Sequence, residues 1–116
     1  VYDRGADESP EARAVERLVA YCRDNAELKP DAPSGYYFYA HLYMAQAMIQ
    51  RGGPEARAYY PRIRDRLTGD MQGPDGSWAG DHVGRAYGTA LACIILQLPY
   101  GYLPICQPRT GPWTQE

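Results

Sequence analysis

Phenylalanine is nearly missing from this chain of 116 residues, where a single Phe stands against eleven Tyr. Tyr offers a similar flat apolar face but carries a hydroxyl that wants a partner when buried. The aromatic surface is therefore made for places with one polar edge. A dominant charge sign is missing too. Twelve basic and fourteen acidic residues leave a formal net charge of −2, with the signs interspersed. No basic stripe invites nucleic acid, and no acidic tail suggests a chaperone-like role. No uninterrupted apolar run reaches the ~18 residues of a membrane span, and no signal-peptide pattern opens the chain. The first residue is Val1 rather than Met, which reads as a missing natural N-terminus together with any targeting signal, so the compartment stays open. Cysteine is sparse: Cys22, Cys93 and Cys106 are odd in number, lack C-x-x-C spacing, and two lie in apolar runs. They read as buried thiols rather than a disulfide or metal set. No cofactor is implied, and the length suits one domain with a modest core.

What is present is helical patterning in four segments. Ser9-Pro10-Glu11 predicts a helix start, with Ser as N-cap, Pro where its missing N–H costs nothing, and an acid in the first turn. Val15, Leu18, Val19 and Cys22 then recur at one-face spacing, with Arg13, Glu16, Arg17 and Arg23 elsewhere, which predicts an amphipathic helix. The loop "LKPDAPSG" stops it. "YYFYAHLYMAQAMIQRGG" is apolar or aromatic nearly all round, predicting a helix buried on most sides, with Gly52-Gly53 as a left-handed end. "PEARAYYPRIRDRLTGDMQ" is amphipathic again, with Tyr60, Ile63 and Leu67 inward and Arg57, Arg62, Arg64 and Asp65 outward; Pro61 is expected to kink or restart it. "RAYGTALACIILQL" is apolar all round until Pro99.

The order amphipathic, apolar, amphipathic, apolar is a repeat of about 48 residues. Arg17-Leu18 matches Arg66-Leu67, and Tyr39-Ala40-His41 matches Tyr87-Gly88-Thr89. The division that follows is an extension over 1–8, a first helix pair over 9–53, a second over 54–106, and a tail over 107–116. Wet outer helices and dry inner ones predict an all-α double layer that curves as pairs stack. Between the second outer and inner helices lies "QGPDGSWAGDHVG". The helix ends on either side leave carbonyls and amides unpartnered. Gln72 both donates and accepts, Gly76 permits a tight turn, and Trp78 supplies an apolar plate with one N–H. These three read as a structural clasp.

Gln72-x-x-x-Gly76-x-Trp78, preceded by the segment around Arg66-Leu67, resembles the QW motif of squalene-hopene and oxidosqualene cyclases. More broadly it is similar to the prenyltransferase and squalene oxidase repeat, whose fold is an α/α toroid. "DGSW" leading into "YGTALACIILQL", and the tail "PYGYLPI", look most like the repeat end of bacterial cyclase-like proteins. The resemblance spans residues 11 to 106, and the fold class it implies is two antiparallel helix pairs forming an arc of such a toroid. The family's chemical strings are missing. There is no D-x-D-D acid, since Asp70, Asp75 and Asp81 are widely spaced; no Asp-x-Cys for prenyltransferase zinc; and no Gly-Cys-Gly-Glu-Gln thioester string. The first pair also lacks the clasp, so its loop is expected to be looser.

The candidate cavity residues lie on the inner helices. Tyr36, Tyr39 and Tyr43 share one helical face, and Tyr87 is the repeat equivalent of Tyr39. By resemblance such rings line a cavity for an isoprenoid and stabilise cations, at about 0.5–2 kcal/mol per ring; the alternative is packing. His41, paired in the repeat with Thr89, is a candidate acid or base at a cavity edge or else a hydrogen-bonded core residue. His82 reads as exposed. Two function classes follow. The first is the C-terminal part of a terpene cyclase or prenyltransferase-like toroid, not catalytic by itself, lining a cavity for an isoprenoid or other apolar ligand, with upstream repeats of the same protein as partners. The second is a non-enzymatic helical-repeat module binding a protein or carbohydrate at its rim. In either, a lone arc is expected to self-associate through its open apolar side.

Overall fold

Ser9 begins the first helix as its spacing predicts, its Oγ accepting the Ala12 amide at 3.0 Å. The computed structural model describes residues 9–25 and 36–107. Among these, helix α1 runs Pro10–Asn25, α2 Tyr37–Arg51, α3 Gly53–Asp65 and α4 Arg85–Gln97. A π-helical segment, Arg66–Met71, prolongs α3, and short 3₁₀ turns follow α4 at Leu98–Tyr100 and Pro104–Cys106. The described residues contain no strand, only one isolated antiparallel bridge between Gln72 and Trp78. The fold is therefore all-α. The expected loose loop over residues 28–35, the extension over 1–8 and the tail beyond Gln107 lie outside the described residues.

Gly52 ends α2 with φ +63°, its amide returning to the Met48 carbonyl at 2.7 Å. Pro54 then sits inside the first turn of α3, where no intrahelical donor is lost. The two helices turn back on one another, and the core forms between them and α4. Phe38, Ala45 and Met48 from α2, Ile63 from α3, Leu67 from the π segment, and Ala92 and Ile95 from α4 are all buried. Helices α2 and α4 run side by side in the same direction. Phe38, at the start of α2, takes its amide partner from Asp81 just ahead of α4, while Gln50, near the end of α2, reaches the Cys106 carbonyl beyond α4. The close approach of α4 to the loop before it rests on glycine. A Cβ on either Gly80 or Gly88 would run into the backbone of the other, so the loop before α4 crosses that helix backbone on backbone.

Several expectations are corrected. Pro61 does not restart α3, which continues through it; an irregularity comes later, as the π turns at Arg66–Met71. Pro61 is exposed. Helix α1 uses only part of its apolar stripe. Ala12 is buried and Val19 packs against the core, whereas Leu18 and Cys22 are exposed. It is tied at its polar edge by Glu16 to Arg51 at 2.7 Å and Arg23 to Glu55 at 3.8 Å, surface pairs of small energetic weight. Cys93 is exposed too and Cys106 half-buried, so the three thiols do not share a buried environment. Helices α2 and α4 are not covered on most sides. Each buries one stripe and leaves the opposite one open.

Candidate functional site

The open stripe of α2 starts at its N-cap. Tyr36, Tyr39 and Tyr43 are 62%, 52% and 54% exposed, opposite a buried stripe of Tyr37, Phe38, His41, Ala45 and Met48. A helix of period 3.6 places the two sets back to back. The Tyr39 and Tyr43 rings meet edge to face with centroids 4.9 Å apart. The Tyr43 hydroxyl beside it holds the Tyr39 phenol above its ordinary range. Tyr87, half-buried on α4, completes the group. Partial burial raises its phenol, followed by the charge of Asp81 and the proximity of Tyr36. Four of the tyrosines singled out by their spacing thus lie along one face. Tyr39 and Tyr87 are each the third residue of their helix.

His41 and Thr89 are not brought together at this face. His41 is 1% exposed and points into the core, its Nδ1 2.9 Å from the Tyr59 hydroxyl on α3. Its ring lies against Tyr37 at 4.4 Å. Tyr59 reaches the His41 carbonyl as well, at 3.4 Å, and burial pushes its phenol strongly upward. Thr89 turns the other way and accepts the Trp78 amide at 3.1 Å. It belongs to the turn before α4. His82 is exposed.

That turn is closed at several points. Gln72 and Trp78 pair as an antiparallel bridge, Gly73 donates to the Ser77 carbonyl at 2.7 Å, and Gln72 Nε2 donates to the Gly76 carbonyl at 3.0 Å. Gly76 has φ +82°. Trp78 is buried, and its Nε1–H donates to the Leu67 carbonyl at 2.8 Å. The indole therefore covers the π segment that ends α3 and satisfies a carbonyl there. Outside this bridge, Asp75 accepts from the Ser77 amide and hydroxyl at 3.1 and 2.8 Å and pairs with Arg85 at 2.7 Å. The Ser77 hydrogen bonds, and then Arg85, hold the Asp75 carboxyl below its usual range.

Sequence spacing did not single out Asp81. It has φ +41°, the one non-Gly residue in the left-handed region among the described residues. Its Oδ1 accepts the Phe38 amide at 3.3 Å, and its Oδ2 is buried without a hydrogen-bond partner. An acidic residue placed by a Gly-rich loop against the first turn of a distant helix is favoured by that helix's dipole. Only the flanking glycines of "GDHVG" hint at it. Among the described residues no group of His, Cys, Asp and Glu is arranged to hold a metal ion, and no helix is long and apolar enough to cross a membrane. What the face offers is ring surface and hydroxyls. No family of known proteins, no curated protein and no solved structure matches this chain.

Proposed function

We propose that the chain is an arc of a terpene cyclase or prenyltransferase-like α/α toroid, whose inner tyrosine face lines a cavity for an isoprenoid or another apolar ligand and is not catalytic by itself. The observation that carries the reading is the open face of Tyr36, Tyr39, Tyr43 and Tyr87 on two parallel inner helices. Rings with hydroxyls at their edges suit a ligand that is apolar along its length and polar at one end. Further repeats of the same protein would close the cavity. The Gln72–Gly76–Trp78 clasp supports the reading, because it does at this junction what such a repeat requires. Equilibrium binding of farnesol below its solubility limit tests it. Saturable binding that weakens at least about tenfold in the Tyr39→Ala/Tyr43→Ala double variant is expected. No saturable binding, or binding indifferent to that double substitution, refutes it.

A second reading, a helical-repeat module that holds a protein or carbohydrate at its rim, draws on a different observation. Tyr100 and Tyr102 stack with centroids 5.8 Å apart and an interplanar angle of 15°, and both are exposed. Tyr100→Ala/Tyr102→Ala leaves farnesol binding unchanged on the first reading.

A further inference from the structure

A cavity of about 120 Å³ lies where α1, α2 and α3 meet. Val19 of α1, Met44 and Met48 of α2, and Ala58 and Tyr59 of α3 form its apolar walls. Met44 and Met48 are one turn apart, on a flank of α2 roughly a third of a turn from the tyrosine stripe. The Tyr59 hydroxyl is taken by His41, so this wall offers ring surface. Space with such walls holds a small apolar molecule more readily than water. Helix α1 closes it loosely, burying Ala12 alone, and the thioether chains of Met adapt to irregular shapes. The rim is polar. Glu55 is paired with Arg51 at 3.0 Å and with Arg23 at 3.8 Å, and Arg23 is paired with Asp24 as well, at 2.9 Å. Arg62, also at the rim, enters no ion pair among the described residues.

We infer that this cavity binds a small apolar carboxylate, its chain against Met44, Met48 and the Tyr59 ring and its charged end on Arg62. A guanidinium presents a planar fork of donors that matches a carboxylate with two parallel hydrogen bonds. An ammonium ligand would instead meet Arg23 and Arg62, while the one acid at the rim, Glu55, is already paired. A neutral ligand would leave Arg62 unanswered. Size bounds the chain. A cavity of about 150 Å³ takes a benzene-sized molecule, so about 120 Å³ between walls that can give suits a chain of about six carbons. The site is separate from the tyrosine face and needs neither further repeats nor an isoprenoid.

Methyl-labelled methionine tests the inference by nuclear magnetic resonance, because the chain has three Met and Met71, in the π segment, does not line the cavity. Hexanoate titrated into the full chain should shift the Met44 and Met48 methyl signals saturably, with a dissociation constant of roughly a millimolar for a ligand of so few atoms. The Met71 methyl should stay still. 1-Hexanol, which lacks the carboxylate, should bind about fivefold more weakly. Arg62→Gln should weaken hexanoate by at least about fivefold and leave hexanol unchanged. Arg57→Gln removes the same charge elsewhere on α3 and should change hexanoate binding by less than about twofold. Ala58→Phe, at a position exposed in the free chain, should fill the space and abolish binding of both. Circular dichroism checks that each variant folds, and Arg62→Gln carries the test if Ala58→Phe does not. Absence of saturable shifts at Met44 and Met48 overturns the inference. So do hexanol binding as tight as hexanoate, equal weakening by Arg62→Gln and Arg57→Gln, or a folded Ala58→Phe that binds as the parent chain does. Farnesol enters none of these outcomes, so the two proposals fall separately.

Discussion

Replacing Trp78 by Ala removes a buried indole, 5% exposed, that both fills space against the π segment after α3 and donates to the Leu67 carbonyl at 2.8 Å. Truncating a buried large aromatic costs about 3–5 kcal/mol through lost transfer energy and the cavity left behind. The lost Nε1–H adds the cost of a buried carbonyl without its donor, about 1–3 kcal/mol if nothing replaces it. The loop can relax toward solvent at Gly76 and Ser77, which offsets part of this, so a loss of about 3 kcal/mol is expected. Against the 5–15 kcal/mol typical of a domain, that is a large share of the stability. Trp78→Phe keeps an apolar plate and deletes the donor, and should cost about 1–2 kcal/mol less than the alanine variant. Urea denaturation followed by circular dichroism at the helix band measures both without relying on the deleted fluorophore. A loss below about 1 kcal/mol for Trp78→Ala would show that the turn does not depend on its Trp, and the clasp would be wrong.

Gly80→Ala should destabilise by about 1–3 kcal/mol or prevent folding, since its Cβ would strike the Gly84 and Gly88 backbone, whereas Gly69→Ala meets nothing within 4 Å and should be neutral or mildly stabilising; equal midpoints in urea would contradict the close crossing. Ser9→Ala should cost about 1 kcal/mol by deleting the cap on the Ala12 amide, read as lost helical signal or a lower thermal midpoint. The third prediction is alkaline. Burial raises the Tyr37 phenol from 10.0 to about 12, with the nearby Arg66 offsetting part of the rise. A folded pKa above the unfolded value means that the stability tied to neutral Tyr37 is complete below pH 10.0 and drains away as pH rises toward about 12. Ultraviolet titration of phenolate should lose amplitude near pH 12 in Tyr37→Phe; a loss confined to the ordinary range near pH 10.0 contradicts it.

Helix existence was legible because it follows from local rules. Ser9-Pro10, Gly52 and the apolar periodicities mark four helices, and those rules act within a turn or two of chain. The clasp could be read for the same reason, since Gln72, Gly76 and Trp78 are close in sequence and their donor and acceptor inventory suits the ends they join. The common face of Tyr36, Tyr39 and Tyr43 is a matter of helical spacing alone. Its exposure is not.

Burial is where the sequence misleads. An apolar run says what a helix tolerates, not what lies against it, so Cys22 and Cys93 read as buried although no described neighbour covers them. Leu18 and Leu67 stand in like Arg-Leu pairs of the sequence, yet one is 64% exposed and the other fully buried, because the π segment lies beneath the Trp78 indole, which donates to the Leu67 carbonyl. His41 could be placed on a helix from its neighbours in the chain. Its turn toward Tyr59, eighteen residues on, was set by the packing of α2 against α3. Asp81 became meaningful only when a loop forty-three residues away in sequence was laid against Phe38. Local propensity and spacing, which depend on near neighbours, determined the helices, their caps and the clasp. Which face of each helix meets a partner depends on contacts between distant segments, and only the tertiary structure decided that α2 would leave Tyr36, Tyr39 and Tyr43 open.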